Sequence, residues 1–160
     1  MADFVHLTNK TEYSLSEGAL PIARIAELCQ SFSMPAVGIS DNNNMFGALE
    51  FSEQIAKVGV QPILGCNIKI KTPKEYLHEG IEDNDLYFYL NIFSKNNEGY
   101  ENLLKCVSNA YTLNKGNAYV KIATLEQNWP CWILWNFSYF VRKHITKSPR
   151  FILEQSLWER

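Results

Sequence analysis

Apolar and polar positions change period several times along this chain, and the changes predict alternating strands and helices. The run "FVHL" at 4–7, followed by the polar "TNKTEYS", predicts a strand opening into a loop. In "SEGALPIARIAELCQSF" the apolar residues Ile22, Ile25, Ala26, Leu28 and Cys29 lie close to a helical stripe. Ser16 reads as its N-cap, with Glu17 placing charge at the helix's positive end. "MPAVGIS" predicts a second buried strand, and "MFGALEFSEQIAKVGV" a second amphipathic helix that Gly59 would end as a C′ glycine. "QPILGCNIKI" starts apolar and turns alternating, as a third strand would. Strand, helix, strand, helix, strand at this spacing predicts right-handed βαβ units and a parallel sheet. "KTPKEYLHEGIEDND" reads as a polar surface connector and "LYFYLNIFS" as a fourth strand. "NNEGYENLLKCVSNAYTL" then predicts a third helix with Leu103, Leu104, Val107 and Ala110 on one face.

The pattern breaks near Glu126. All four tryptophans (Trp129, Trp132, Trp135 and Trp158) fall in the last 32 residues. Residues 1–125 hold 10 basic and 14 acidic residues, whereas 126–160 hold 5 basic and 3 acidic. The stretch from Trp129 on keeps neither a helical nor an alternating period. Residues 1–125 are therefore read as one partial domain and 126–160 as an aromatic tail. The tail is either a recognition segment with aromatic anchors or sequence foreign to the fold, such as out-of-frame translation.

Composition narrows the class. Hydrophobic residues make up 46% and charged residues 20% of 160, which suits a globular domain with a real core. A net charge of −2 supplies no global field for nucleic acid, so any such contact is local or made by a partner. Cys29, Cys66, Cys106 and Cys131 are scattered without a CxxC pair, which predicts reduced thiols in a cytoplasmic protein. No secretory signal is expected in "MADFVHLTNK", and "WPCWILWNFSYFV" is too short to span a bilayer.

Candidate chemistry centres on "ISDNNNMFGALEF" at 39–51, a strand–loop–helix turn of active-site shape. It offers one carboxylate, Asp41, followed by three asparagines, which are poor acids, bases and metal ligands. Turn formation and helix capping explain the amides more simply than a sugar-binding loop. His6 reads as a strand-end histidine, His78 as solvated in the connector, and His144 as part of a basic surface "VRKH". Tyr87, Phe88 and Tyr89 could stack on bases, but in a buried strand they read as core. Cys66 has no histidine near it in sequence and reads as a buried free thiol.

Three segments, "FVHLTNKTEYSLSEGAL", "MPAVGISDNNNMFGALEF" and "GVQPILGCNIKI", resemble in order and spacing the N-terminal PHP (polymerase and histidinol phosphatase) domain of bacterial DNA polymerase III alpha subunits. "NNEGYENLLKCVSNAY" resembles a helix of the same family, and the likeness runs from about residue 4 to 111. The resemblance implies an α/β fold: about half of a PHP-type distorted βα barrel, with an atypical C-terminal tail. Barrel chemistry sits at the strands' C-terminal ends. There the family's His, Asp and Glu side chains hold metals that activate water for phosphoester hydrolysis.

Carried over by position, the resemblance puts the first histidine of the family's H-x-x-x-H pair on His6 and the second on Lys10. The acidic position falls on Glu17. The T-D-H-G aspartate falls on Asp41, its histidine on Asn42, and the G-C-E glutamate on Asn67. Three ligands are thus lost, one of them to a cation, and no metal cofactor and no catalytic residue are expected. Lys10 is expected near Asp41 or Glu17 in place of a metal's charge.

The implied role is that of an N-terminal fragment of the replicative polymerase subunit. It would be inactive alone, and would support or contact other replicative polymerase subunits or proofreading factors, with DNA reached only through the longer polymerase and no membrane contact. The alternatives are a small stand-alone PHP phosphoesterase and a protein-binding module that docks through its aromatic tail. With half a barrel, the last strand is expected to present an unpaired edge.

Overall fold

In the computed structural model, residues 4–72, 87–114, 118–121, 125 and 132–135 are described. Helix α1 (Ile22–Ser31) buries Ile22, Ile25, Ala26 and Cys29, an i, i+3, i+4, i+7 stripe. It starts six residues after the expected N-cap. Pro21 caps it with extended backbone, and a residue preceding proline is kept out of the helical region. Upstream of Pro21 the chain turns instead: Ser16 takes a left-handed φ of 67°, and the Glu17 and Gly18 amides both donate to the Ser14 carbonyl, at 3.0 and 2.7 Å.

Strand β1 (Ala36–Asn42) leads through the asparagine loop into α2 (Ala48–Lys57), which buries Ala48, Phe51 and Ile55. Gly59 ends α2 as the pattern predicts. Its φ is +77°, and the Gly59 and Val60 amides donate back to Ala56 and Ile55 at 3.0 and 3.2 Å. Helix α1 closes in the same way, but with Ser33 at φ 51° in the left-handed position.

Strand β2 (Gln61–Lys71) is central. It runs parallel to β1, from Ala36 opposite Gln61 to Asn42 opposite Asn67. Strand β3 (Tyr87–Ser94) lies on its other side and is antiparallel, with Gly65 opposite Phe93 and Lys71 opposite Tyr87. The sheet is therefore mixed, not wholly parallel. A parallel return needs a crossover, usually a helix, and the polar sequence between β2 and β3 has no apolar stripe from which to build one. That connector, His78 included, lies outside the described residues.

Helix α3 (Asn97–Thr112) is capped by Asn96, whose Oδ1 accepts from the Gly99 amide at 2.8 Å. It packs Leu103, Cys106 and Ala110 against Ile68, Ile70, Leu90 and Ile92. Leu104 turns outward, 38% exposed, because the buried stripe passes through 103, 106 and 110. Alternation also corrects the reading of the aromatic strand: Phe88 packs on the core, but Tyr89 is 53% exposed.

Short β4 (Val120–Lys121) extends the parallel side of β2, and β5 (Trp132–Trp135) pairs antiparallel with β3 from Asn91 to Ser94. That half of the outer edge of β3 is therefore paired. The rest of the tail, with Trp129, Trp158 and His144, lies outside the described residues, as does Cys131. The expected N-terminal strand is instead an extended segment docked beside β1. The Gly38 amide donates to the His6 carbonyl and the Ser40 amide to the Asn9 carbonyl, both at 2.8 Å. A Cβ on Gly38 would lie 2.6 Å from the Leu7 carbonyl oxygen, so this docking requires glycine. Among the described residues no helix is long and apolar enough to cross a membrane.

Candidate functional site

Beta-strand register places Asp41 beside Cys66 and Asn42 beside Asn67 at the C-terminal end of β1. Alternation then sends the neighbours Asp41 and Asn42 to opposite faces of the sheet, so two polar arrangements form back to back.

The first surrounds Asp41, which is 1% exposed. Its Oδ1 accepts from the Thr11 amide at 2.7 Å and from the Ser14 hydroxyl at 2.6 Å, and its Oδ2 accepts from the Thr11 hydroxyl at 2.7 Å. Ser14 Oγ accepts in turn from the Asn42 amide at 3.1 Å. A buried carboxylate is tolerable only with such donors. The Cys66 thiol donates to the Asp41 carbonyl at 3.3 Å, and burial pushes that thiol far up. It is a buried free thiol, as its sequence context predicts. Thr11 and Ser14 are the residues that the family positions do not point to. The signal available was the T-x-x-S spacing in "TEYS", which matches a hydroxyl-rich turn.

The second arrangement runs across the other face. Lys10 Nζ lies 2.6 Å from Glu17 Oε2. The Lys10 ammonium first, and the Asn42 amide second, hold the Glu17 carboxyl below the usual carboxylate range. Asn42 Oδ1 accepts from Asn67 Nδ2 at 2.9 Å. Lys10, Glu17, Asn42 and Asn67 therefore form one connected chain. Asn67 Oδ1 is buried without a hydrogen-bond partner among the described residues. His6 stands apart, exposed, with its ring edge-on to Phe4 at 4.6 Å.

The remaining amides fasten the loop. Asn43, at φ 50°, donates its backbone N–H to the Asn67 carbonyl at 2.9 Å and accepts from the Lys69 amide at 2.8 Å. Asn44 Nδ2 donates to the Tyr13 and Asn42 carbonyls, and its Oδ1 accepts from the Phe46 amide at 3.2 Å. Asparagine tolerates the left-handed conformation and mimics backbone in turns.

The metals implied by the family do not fit these donors. Both Asp41 oxygens are already engaged, Glu17 is paired with a cation, and Asn42 and Asn67 offer only neutral amide oxygens. Divalent clusters need anionic or imidazole ligands. Among the described residues no three His, Cys, Asp or Glu side chains are placed to share a metal ion.

Comparison with known proteins places this arrangement. Over 112 residues the chain is 38% identical to the DNA polymerase III subunit alpha of Rickettsia felis, covering 70% of this chain and 8% of that protein. It is 29% identical over 126 residues to the same subunit of Haemophilus influenzae, covering 79% and 10%. A third similar subunit, from Helicobacter pylori, is 38% identical over 112 residues, covering 68% and 9%. The chain thus spans about a tenth of the length of the relatives it matches. A solved amidohydrolase from Chromobacterium violaceum has a TM-score of 0.43 at 10% identity, covering 78% of this chain and 48% of that one, too distant to carry an argument. The PHP domain family matches residues 6–140, which reaches past residue 126 and includes β5. By that match the chain is a member of the PHP domain family.

Proposed function

We propose that this chain is an N-terminal PHP module of a replicative DNA polymerase III alpha subunit, working as a metal-free support and contact surface rather than as a hydrolase. The similarity to several alpha subunits supports the replicative setting. The observation that carries the metal-free reading is the Lys10–Glu17 ion pair at 2.6 Å, continued through Asn42 to Asn67. An ammonium 2.6 Å from the carboxylate supplies the positive charge that a metal would otherwise bring, and it repels a second cation. Polymerisation belongs to parts of the longer relatives that this chain does not span. Its partners are other polymerase subunits or proofreading factors.

The test is hydrolysis of p-nitrophenyl phosphate by the purified chain with added manganese or zinc. No turnover above the protein-free blank is expected. Metal-dependent turnover that disappears in Glu17→Gln would overturn the reading and favour a stand-alone phosphoesterase.

A further inference from the structure

Away from the polar chain, the same face of the sheet carries a second kind of chemistry. Ile68, Ile70, Leu90 and Val120 point into the core with α3, so alternation turns Lys69, Lys71, Tyr87, Tyr89, Tyr119 and Lys121 to the opposite side. Register sets Lys69 beside Tyr89, Lys71 beside Tyr87, and Lys71 beside Lys121. Lys69 Nζ lies 4.1 Å from the centroid of the Tyr87 ring, and Lys71 Nζ 5.9 Å from that of Tyr119. The Tyr87 and Tyr119 rings are 5.5 Å apart. Tyr89 and Lys121 are exposed and the other four are half-buried. Strands β2, β3 and β4 contain no aspartate or glutamate.

We infer that this face binds single-stranded nucleic acid, with the lysines meeting phosphates and the tyrosine rings stacking on bases. Charge complementarity points to a polyanion, because every charged side chain on these three strands is a lysine. The interleaved rings point further, to a polyanion with flat faces. Base-on-aromatic stacking is open to unpaired strands and closed to a duplex, whose base faces are already covered. Because the whole chain has net charge −2, the attraction is confined to this patch and the binding is weak. This inference does not depend on the metal-free reading, which concerns other side chains.

The test is fluorescence anisotropy of labelled oligothymidylate with the full chain, against a duplex of equal length. Three phosphate contacts on a single strand predict a slope of log K against log salt of about −2. Lys69→Gln with Lys71→Gln is expected to weaken binding and bring the slope to about −0.7. Tyr89→Ala is expected to weaken it about tenfold without changing the slope, and Tyr89→Phe to restore it. Should Tyr89→Ala lose its circular dichroism, protection of Tyr89 from nitration by the oligonucleotide in the unaltered chain reads the same contact. Absence of binding, equal affinity for the duplex, or indifference to both Tyr89→Ala and nitration would overturn the proposal.

Discussion

Asp41 and Glu17 are two carboxylates, at family site positions, that this protein treats in opposite ways. Asp41 is sealed in the interior and held by three donors from the turn at Thr11–Ser14. Glu17 stays in solvent and is held by one flexible ammonium and one amide. The contrast separates a carboxylate held by the fold from one held by its neighbours. The buried acid ties the N-terminal turn to β1 and so shapes the loop, whereas the exposed acid only answers a neighbouring charge.

The largest effect is expected at Asp41. Hydrogen bonds to charged groups contribute about 1.5–3 kcal/mol each, and their removal leaves buried donors unpaired. Asp41→Ala should lower unfolding free energy in urea by about 3–5 kcal/mol. A loss below 1 kcal/mol would erase the distinction between the two carboxylates.

Thr11→Val keeps the shape and the backbone donor but removes the hydroxyl bond to Oδ2, so a loss of about 1–2 kcal/mol is expected in the same assay. Thiol labelling sharpens this result. Burial pushes Cys66 up, and pushes Cys106 up to about 12. Neither should react with a disulfide reagent at neutral pH in the unaltered chain. In Thr11→Val, Cys66 should react faster than Cys106, because only Cys66 leans on Asp41. Equal rates would mean that the turn around Asp41 does not protect that corner.

The smallest effect is expected at Lys10→Met. The ion pair is exposed, and such pairs contribute little to stability. The Glu17 carboxyl is held low in the folded chain, so its stabilisation is present above its unfolded pKa and is lost as pH falls through the folded value. Removing Lys10 should move the Glu17 titration upward in NMR and flatten the acid limb of stability against pH. An unmoved titration would show that Asn42, rather than the ammonium, sets the Glu17 charge.

Much of this was legible in the sequence. The stripe Ile22, Ile25, Ala26 and Cys29 and the C′ glycine Gly59 are local signals, and both helices formed where those signals sit. Ser16 is a good cap in isolation, but Pro21 decides where α1 can begin. The antiparallel return of β3 is not legible in its residues, because strand direction depends on the connection and not on the strand's own composition. At the site, the family resemblance pointed to Lys10, Glu17, Asn42 and Asn67, and the fold brings these four together. It also pointed to His6, which the fold leaves outside. Thr11 and Ser14 meet Asp41 across about thirty residues, so the T-x-x-S spacing signals their turn but not the carboxylate it holds.

Metal content tests the central claim most directly. The full chain, equilibrated with excess zinc or manganese and passed through a desalting column, would be measured by inductively coupled plasma mass spectrometry. Far less than one metal per chain is expected, with the Glu17 titration unchanged by the treatment. One or more equivalents retained, with the Glu17 signal shifted by the metal, would contradict the account.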